Sequence, residues 1–313
     1  MDIGLVDPAL QALVLKQKRL DITNPAIRAA ARLAGRLMPI PAARDQVGVR
    51  VIRAAGGVAG RLYRPFAPAP TAGGLLWIHG GGYLFGGARQ DQAICSHLCS
   101  QLRVVVFSAD YRLAPRHPFP AALEDVRLAW RWLAENAASL GVDPNRLALG
   151  GESAGGGLAA ALAQLLADQA AGSRAASQPA PVAQWLFAPM LDDRTAADRS
   201  LDSTEHWIWQ NRDNRFAWQS YLGQPPGPAH LPPYAAPGRR AVLAGLPPAY
   251  LQVGDIELFA PEVEAYAEGL RRSGVTVRLD VTPGAPHGLI HAPQTAPARR
   301  VIGDAIAWLS AYL

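Results

Sequence analysis

The chain has 313 residues, half of them hydrophobic, and its 30 basic and 25 acidic side chains give a net charge of +5. This length suits one domain with an added segment, no apolar run is long enough to span a bilayer, and no basic block interleaved with aromatic residues indicates a nucleic-acid partner. The first residues lack a basic stretch followed by an apolar one, so we expect no secretory signal and a cytoplasmic location.

Apolar or alternating runs and helical patterns follow one another along the chain. The strand-like runs cover residues 47–53, 58–63, 75–78, 104–108, 146–149, 184–188, 249–253 and 275–281. The helical patterns cover residues 89–101, 120–138, 156–170, 261–272 and 298–313. Such alternation indicates an α/β fold with a mostly parallel sheet covered on both faces, and the short connections between the first strands indicate an antiparallel edge.

Two segments lie outside this alternation. Residues 1–44 show helical patterns, and residues 192–240 are rich in proline and aromatic residues, including Trp207, Trp209, Phe216, Trp218 and Tyr221. For each of these tryptophans, we favour a position in the segment's own core over a contact with substrate. Asp192 and Asp193 have no histidine or carboxylate cluster beside them, so they indicate a turn or a helix start and no metal site.

The pentapeptide Gly151-Glu152-Ser153-Ala154-Gly155 has the form G-x-S-x-G and lies between a short apolar run and a helical pattern. A serine on a sharp turn from strand to helix presents its hydroxyl above the sheet, and the flanking glycines fit the crowded backbone there. Because glycine is frequent in this chain, the G-x-S-x-G pattern alone could occur by chance. Its position between a predicted strand and a predicted helix is stronger evidence for a functional serine. We predict that Ser153 is a nucleophile.

A nucleophilic serine needs donors for the oxyanion that forms when it attacks a carbonyl group. The run His79-Gly80-Gly81-Gly82 directly follows an apolar strand, and glycines let backbone N–H groups approach a ligand closely. We expect donors at Gly81, at Gly82 and at Ala154, the residue after the nucleophile. A plain glycine turn would also explain this run, but it would not explain why the run occurs together with a serine turn.

The serine also needs a base, and in α/β-hydrolases the histidine comes last in the chain order serine, acid, histidine. The late candidates are His287 and His291. His287 follows a strand directly, in a loop rich in proline and glycine, which favours it as the base. We interpret His291, four residues further on, as a surface residue or one that supports the site. The acid should follow the strand at 249–253, where Asp255 and Glu257 are equally able to orient an imidazole.

These motifs together resemble the hormone-sensitive-lipase family of α/β-hydrolase carboxylesterases. The stretches that carry the resemblance are His79 to Tyr83, Asp110 to Pro115 with His117 to Ala122, Gly151 to Gly156, and Pro283 to Gly288, in the family's order. The resemblance spans roughly residues 48–313. The family usually has Asp where this chain has Glu152, and Glu where this chain has Arg116.

The resemblance implies further features. Related members show Gly-x-x-Asp-Leu-Phe-x-x-Glu followed by Tyr-Ala, and this register places Glu257 at the acid position, with Asp255 as the alternative. Members build a cap over the active site, so we expect a cap from residues 1–44 and 192–240 over a catalytic core of residues 45–191 and 241–313. The resemblance also implies a preference for short to medium acyl chains.

We therefore predict a serine carboxylesterase with no cofactor and no metal, acting on a small-molecule ester as a monomer or homodimer. The only cysteines, Cys95 and Cys99, are expected to be two buried thiols and to form neither a disulfide nor a metal site. One alternative is a related serine hydrolase acting on amides, lactones or acetylated small molecules. Another is an inactive ligand-binding homologue, which should have lost the serine or the histidine that this chain retains.

Overall fold

The computed structural model describes residues 1–17, 19–37, 39–44, 46–69, 72–172 and 178–313. The strands of this part are β1 (Val47–Arg53), β2 (Ala59–Pro65), β3 (Gly74–Ile78), β4 (Val105–Asp110), β5 (Leu147–Glu152), β6 (Gln184–Phe187), β7 (Ala249–Gly254) and β8 (Val277–Thr282). They form one sheet in the order β1-β2-β4-β3-β5-β6-β7-β8. β2 pairs antiparallel with β1 and β4, and the other pairs are parallel. This confirms the predicted mostly parallel, eight-stranded sheet with an antiparallel edge.

Helices cover both faces of the sheet. The described residues form α1 (Gln11–Leu15), α2 (Pro25–Leu37), α3 (Gln92–Leu102), α4 (Ala121–Glu135), α5 (Ala137–Leu140), α6 (Ala154–Gly172), α7 (Asp193–Ala197), α8 (Asn211–Leu222), α9 (Ala260–Arg272) and α10 (Ala296–Leu309). Leu76 of β3 belongs to a core cluster shared with α4, α6 and α9, whereas its neighbour Trp77 belongs to a second cluster shared with α3 and α10. Because successive strand residues point to opposite faces, the two clusters are the two sides of one sheet.

Burial follows the position of each strand. Every residue of β3 and β5 is buried, as expected for central parallel strands covered on both faces. β1 pairs with one neighbour only and keeps several residues exposed. α6 is apolar around most of its circumference and is buried from Ala154 to Gln164, because it packs beside β5 and β6 in the middle of the fold.

The carboxyl ends of the parallel strands meet at one edge of the sheet, and this edge collects the predicted site residues. β3 is followed by the glycine loop that begins at His79, β5 by Ser153, β7 by Glu257, and β8 by the loop that carries His287. In open α/β sheets, ligands bind in the crevice outside these strand ends. Residues more than 100 positions apart in sequence are brought together there by the strand order alone.

The segments at 1–44 and 192–240 contact each other. Asp21 forms an ion pair with Arg212 of α8 at 3.2 Å, and the Arg28 guanidinium lies 4.7 Å from the centre of the Phe216 ring. Trp218 of α8 is fully buried, as expected of a core residue. The division into a cap and a core at the boundaries given above stays a prediction.

The two aspartates that open the second segment have structural partners. The Asp192 side chain accepts a hydrogen bond from the Arg194 backbone N–H and caps α7, which confirms the predicted helix start. Asp193 is fully buried and accepts hydrogen bonds from the Arg239 guanidinium and the Gly227 N–H, both at 2.6 Å. Arg116 is exposed, and nothing in the structure explains why it replaces the usual glutamate.

Candidate active site

Ser153 occupies a one-residue turn between β5 and α6. Its φ angle is 54°, in the left-handed region that side chains other than glycine rarely adopt, and the residue is almost completely buried. The turn requires glycine at Gly155, because a Cβ atom there would lie 2.1 Å from the Ile78 carbonyl oxygen. A strained backbone held by its surroundings is typical of a functional position.

The structure brings Ser153, His287 and Glu257 into one chain of hydrogen bonds. The Ser153 Oγ and the His287 Nε2 lie 3.0 Å apart, and the His287 Nδ1 lies 3.0 Å from Glu257 Oε2. An ionised carboxylate can only accept, so the Nδ1–H donates to Glu257 and leaves Nε2 to accept from the serine hydroxyl. This is the tautomer that a general base needs.

Asp255, the other predicted candidate for the acid, lies elsewhere. Its Oδ1 accepts a hydrogen bond of 2.7 Å from the Gly284 N–H, and its side chain is exposed. Gly284 belongs to the loop that leads from β8 to His287, so Asp255 braces that loop and does not contact the imidazole. The structure therefore places Glu257, and not Asp255, against His287.

Two opposing effects set the pKa of His287. Burial lowers the pKa because the imidazolium loses its hydration, whereas the Glu257 carboxylate and its hydrogen bond raise it, with a further contribution from Glu152. The carboxylates outweigh burial, so the pKa of His287 lies above its usual value. The neutral imidazole that acts as a base is therefore lost as the pH falls through this raised pKa.

The predicted oxyanion loop is held by aromatic and polar contacts. The His79 imidazole stacks on Tyr111 with 4.2 Å between ring centres, and the Tyr111 hydroxyl donates a hydrogen bond of 3.0 Å to the His79 carbonyl oxygen. Burial lowers the pKa of His79, which keeps its ring neutral. Ala154 is the first residue of α6, where backbone N–H groups have no acceptor within the helix. Tyr111 lies within one of the motifs that carry the family resemblance, but the sequence alone indicates no role for it.

An aromatic residue of the 192–240 segment reaches this loop. The Trp209 indole touches Gly82 so closely that a Cβ atom there would lie 2.4 Å from the Trp209 Cη2. The same indole lies 6.4 Å from the His287 ring, centre to centre. The sequence favours Trp209 as part of the segment's own core, and no periodicity in the sequence indicates its contact with the loop.

The cysteines, possible metal ligands and helix lengths were also subjects of sequence predictions. Cys95 and Cys99 are free and buried, as predicted, and burial raises the pKa of both thiols. Over the described ranges, we find no group of three or more histidine, cysteine, aspartate or glutamate side chains arranged to hold a metal ion. No helix in those ranges is both long enough and apolar enough to cross a membrane.

Comparisons with known proteins identify the family and the fold. A family model described as alpha/beta hydrolase fold matches residues 75–291. Carboxylic ester hydrolase LipN of Mycobacterium tuberculosis (strain ATCC 25618 / H37Rv) is 34% identical over 304 residues, covering 93% of this chain and 78% of that protein. Ethyl acetate hydrolase of Pseudomonas putida is 34% identical over 229 residues, covering 72% and 70%. Among solved structures, a bacterial heroin esterase aligns with a TM-score of 0.89 at 31% identity, covering 99% of both chains.

Proposed function

The chain belongs to the α/β-hydrolase-fold family and is a carboxylic ester hydrolase of the hormone-sensitive-lipase type, and we propose that it works through Ser153, His287 and Glu257 on short- to medium-chain acyl esters. The observation that carries this proposal is the pair of 3.0 Å hydrogen bonds that link these three side chains. The left-handed turn at Ser153 supports it, because this conformation is typical of the nucleophile in such enzymes.

The first half of the proposed reaction forms an acyl-enzyme. The Ser153 Oγ attacks the ester carbonyl carbon while His287 Nε2 takes the hydroxyl proton, and Glu257 stabilises the imidazolium. The N–H groups of Gly81, Gly82 and Ala154 are proposed to hold the negative charge on the former carbonyl oxygen. The bond to the alcohol oxygen then breaks, and His287 returns its proton to that oxygen, so the alcohol leaves.

The second half hydrolyses the acyl-enzyme. His287 takes a proton from water, whose oxygen attacks the acyl carbon to give a second oxyanion in the same position. The bond between the acyl carbon and Ser153 Oγ breaks, His287 returns the proton to Ser153 Oγ, and the carboxylic acid leaves. The chemistry is complete with the side chains and backbone groups named here and one water molecule. All three side chains come from one chain, so we propose that a monomer is sufficient for turnover, whether or not the protein forms a homodimer.

The proposed substrate range is tested with p-nitrophenyl esters from acetyl to dodecanoyl. We expect kcat/KM to peak at a short or medium chain and to fall towards dodecanoyl. A matched p-nitroanilide and a γ-lactone of the same acyl length serve as comparison substrates and should be hydrolysed at least about a hundredfold more slowly. Faster turnover of the anilide or the lactone would instead make this protein a hydrolase for amides or lactones.

We propose that Trp209 limits the space beside the reacting carbonyl group, because its indole lies against Gly82 and near His287. Trp209→Ala should therefore shift the acyl-chain optimum to longer esters. The octanoate-to-acetate ratio of kcat/KM should rise by about 10-fold, since one methylene in an apolar pocket changes discrimination by roughly 10-fold or more. Trp207→Ala is the matched control, because Trp207 packs against the opposite core cluster. An unchanged ratio in Trp209→Ala would contradict this role.

A further inference from the structure

A second carboxylate–imidazole pair lies beside the three residues of the proposed reaction. Glu152 Oε2 and His291 Nε2 are 3.0 Å apart. The Glu152 side chain is 5% exposed and that of His291 is 48% exposed, so the pair runs from the interior to the surface. Glu152 directly precedes Ser153, and His291 follows His287 by four residues. The pair therefore ties the turn that carries the nucleophile to the loop that carries the base.

The pair is ionised at neutral pH. Burial would raise the pKa of Glu152, but the charge and hydrogen bond of His291 outweigh it and lower the pKa. In return, the Glu152 carboxylate raises the pKa of His291 to about 9 against the effect of burial. His291 is thus a cation next to a buried anion, and each keeps the other charged.

Other titratable groups face this pair from the neighbouring elements. His287 from the β8 loop and His79 from the β3 loop face Glu152, and each lowers its pKa when protonated. Asp91, at the start of α3, faces both members of the pair, and burial raises the pKa of Asp91 to about 7. Asp110, at the end of β4, faces His79. Among the contacts that the structure describes, His291 is the one of these groups that forms an ion pair with the Glu152 carboxylate.

The position of Glu152 makes its charge matter for the reaction. Its Oε2 lies 3.2 Å from where a Cβ atom of Gly80 would stand, so the carboxylate sits directly under the loop that presents Gly81 and Gly82. A bare carboxylate at this place would repel the negative charge that forms on the substrate oxygen. The adjacent imidazolium cancels most of this repulsion.

On the basis of the proposed function, we propose that the Glu152–His291 ion pair is a positioning pair for ester hydrolysis, which holds the His287 loop to the Ser153 turn and neutralises the carboxylate beneath the oxyanion loop. His291 contacts no reacting atom, and it acts through Glu152. This assigns a role to the second late histidine, for which the sequence offered only a surface or supporting position.

The pair is tested by a double-mutant cycle on p-nitrophenyl butyrate. His291→Gln should lower kcat by roughly 10- to 100-fold with little change in KM, the size expected for one uncompensated charge roughly 6 to 12 Å from the oxyanion at an effective dielectric constant of about 20. Glu152→Gln combined with His291→Gln should restore kcat to within about fivefold of the wild type, because no charge is left unpaired. A double variant as slow as His291→Gln, or slower, would overturn the proposal.

The pH profile separates this role from a purely structural one. The compensating charge is present below the raised pKa of His291 and is lost above it, so wild-type kcat/KM should fall as the pH rises through about 9. The double variant should lack this alkaline limb and keep the acid limb of His287 nearly unmoved, because Glu152 raises the pKa of His287, His291 lowers it, and the variant removes both charges. An identical alkaline limb in both proteins would contradict the proposal.

His291→Lys covers the case in which the glutamine variants fail to fold. Lysine keeps a cation beside Glu152 and titrates near 10.4 in its unperturbed state. This variant should keep kcat within about tenfold of the wild type and move the alkaline limb to higher pH. If His291→Lys lowers kcat by more than about tenfold although circular dichroism shows a native fold, the proposal is wrong. If neither the wild type nor any variant hydrolyses the ester, this result would instead contradict the proposed function itself.

Discussion

Ser153→Ala should lower kcat for p-nitrophenyl butyrate by roughly a millionfold, the loss known for removal of a nucleophile from a comparable triad. The variant has no atom that can form the acyl-enzyme, and His287 has nothing to deprotonate except water. The melting temperature should change little, because the change removes one hydroxyl group and its hydrogen bond to His287, and alanine adopts the same turn at a similar cost.

Ser96→Ala is the matched control for this experiment. Ser96 is also fully buried, but its hydroxyl donates only to the Ala93 carbonyl oxygen within α3. Its kcat should stay within about threefold of the wild type, since removing such a local hydrogen bond affects stability by about 1 kcal/mol and leaves the site in place. Substantial esterase activity in Ser153→Ala would contradict the assignment of the nucleophile.

Glu257→Gln should lower kcat by about 10³- to 10⁴-fold, whereas Asp255→Asn should lower it by less than about fivefold. A glutamine at position 257 cannot stabilise the imidazolium, and it allows His287 to adopt the tautomer that blocks Nε2. An asparagine at position 255 still accepts the hydrogen bond from the Gly284 N–H that Asp255 receives in the wild type.

The pH profile gives an independent measurement on the same two variants. The Glu257 carboxylate raises the pKa of His287, and burial alone would lower it. The acid limb of kcat/KM should therefore move to lower pH in Glu257→Gln, because His287 then stays neutral at a lower pH. In Asp255→Asn the limb should not move. A larger loss and a larger shift in Asp255→Asn would exchange the two roles.

The elements with strong local signals could be predicted from the sequence. The buried strands β3 and β5 have continuous apolar runs, and the serine turn has glycines at fixed offsets, so these patterns predict all three elements to within a few residues. The helix after Ser153 begins at Ala154, two residues earlier than predicted, because the turn consists of Ser153 alone. A pattern of side chains does not show how tightly a backbone turns.

The contacts between distant segments could not be predicted in the same way. Asp255 and Glu257 are chemically equivalent and two residues apart, so only the hydrogen bonds to Gly284 and His287 distinguish them. Trp209 belongs to a segment whose docking on the glycine loop depends on tertiary packing. The pairing of Glu152 with His291 joins residues that are far apart in the chain and carry no shared motif.

The central claim is that Ser153 becomes acylated, and covalent trapping tests it most directly. A p-nitrophenyl alkylphosphonate ester reacts with an activated serine by releasing p-nitrophenolate and leaving a stable phosphonyl group on Oγ. We expect the wild type to release one p-nitrophenolate per chain, to lose its esterase activity in parallel, and to carry the adduct on the peptide that contains Ser153, whereas Ser153→Ala gains no mass. Full loss of esterase activity with the adduct on another residue, or undiminished hydrolysis by a chain fully labelled at Ser153, would contradict the account.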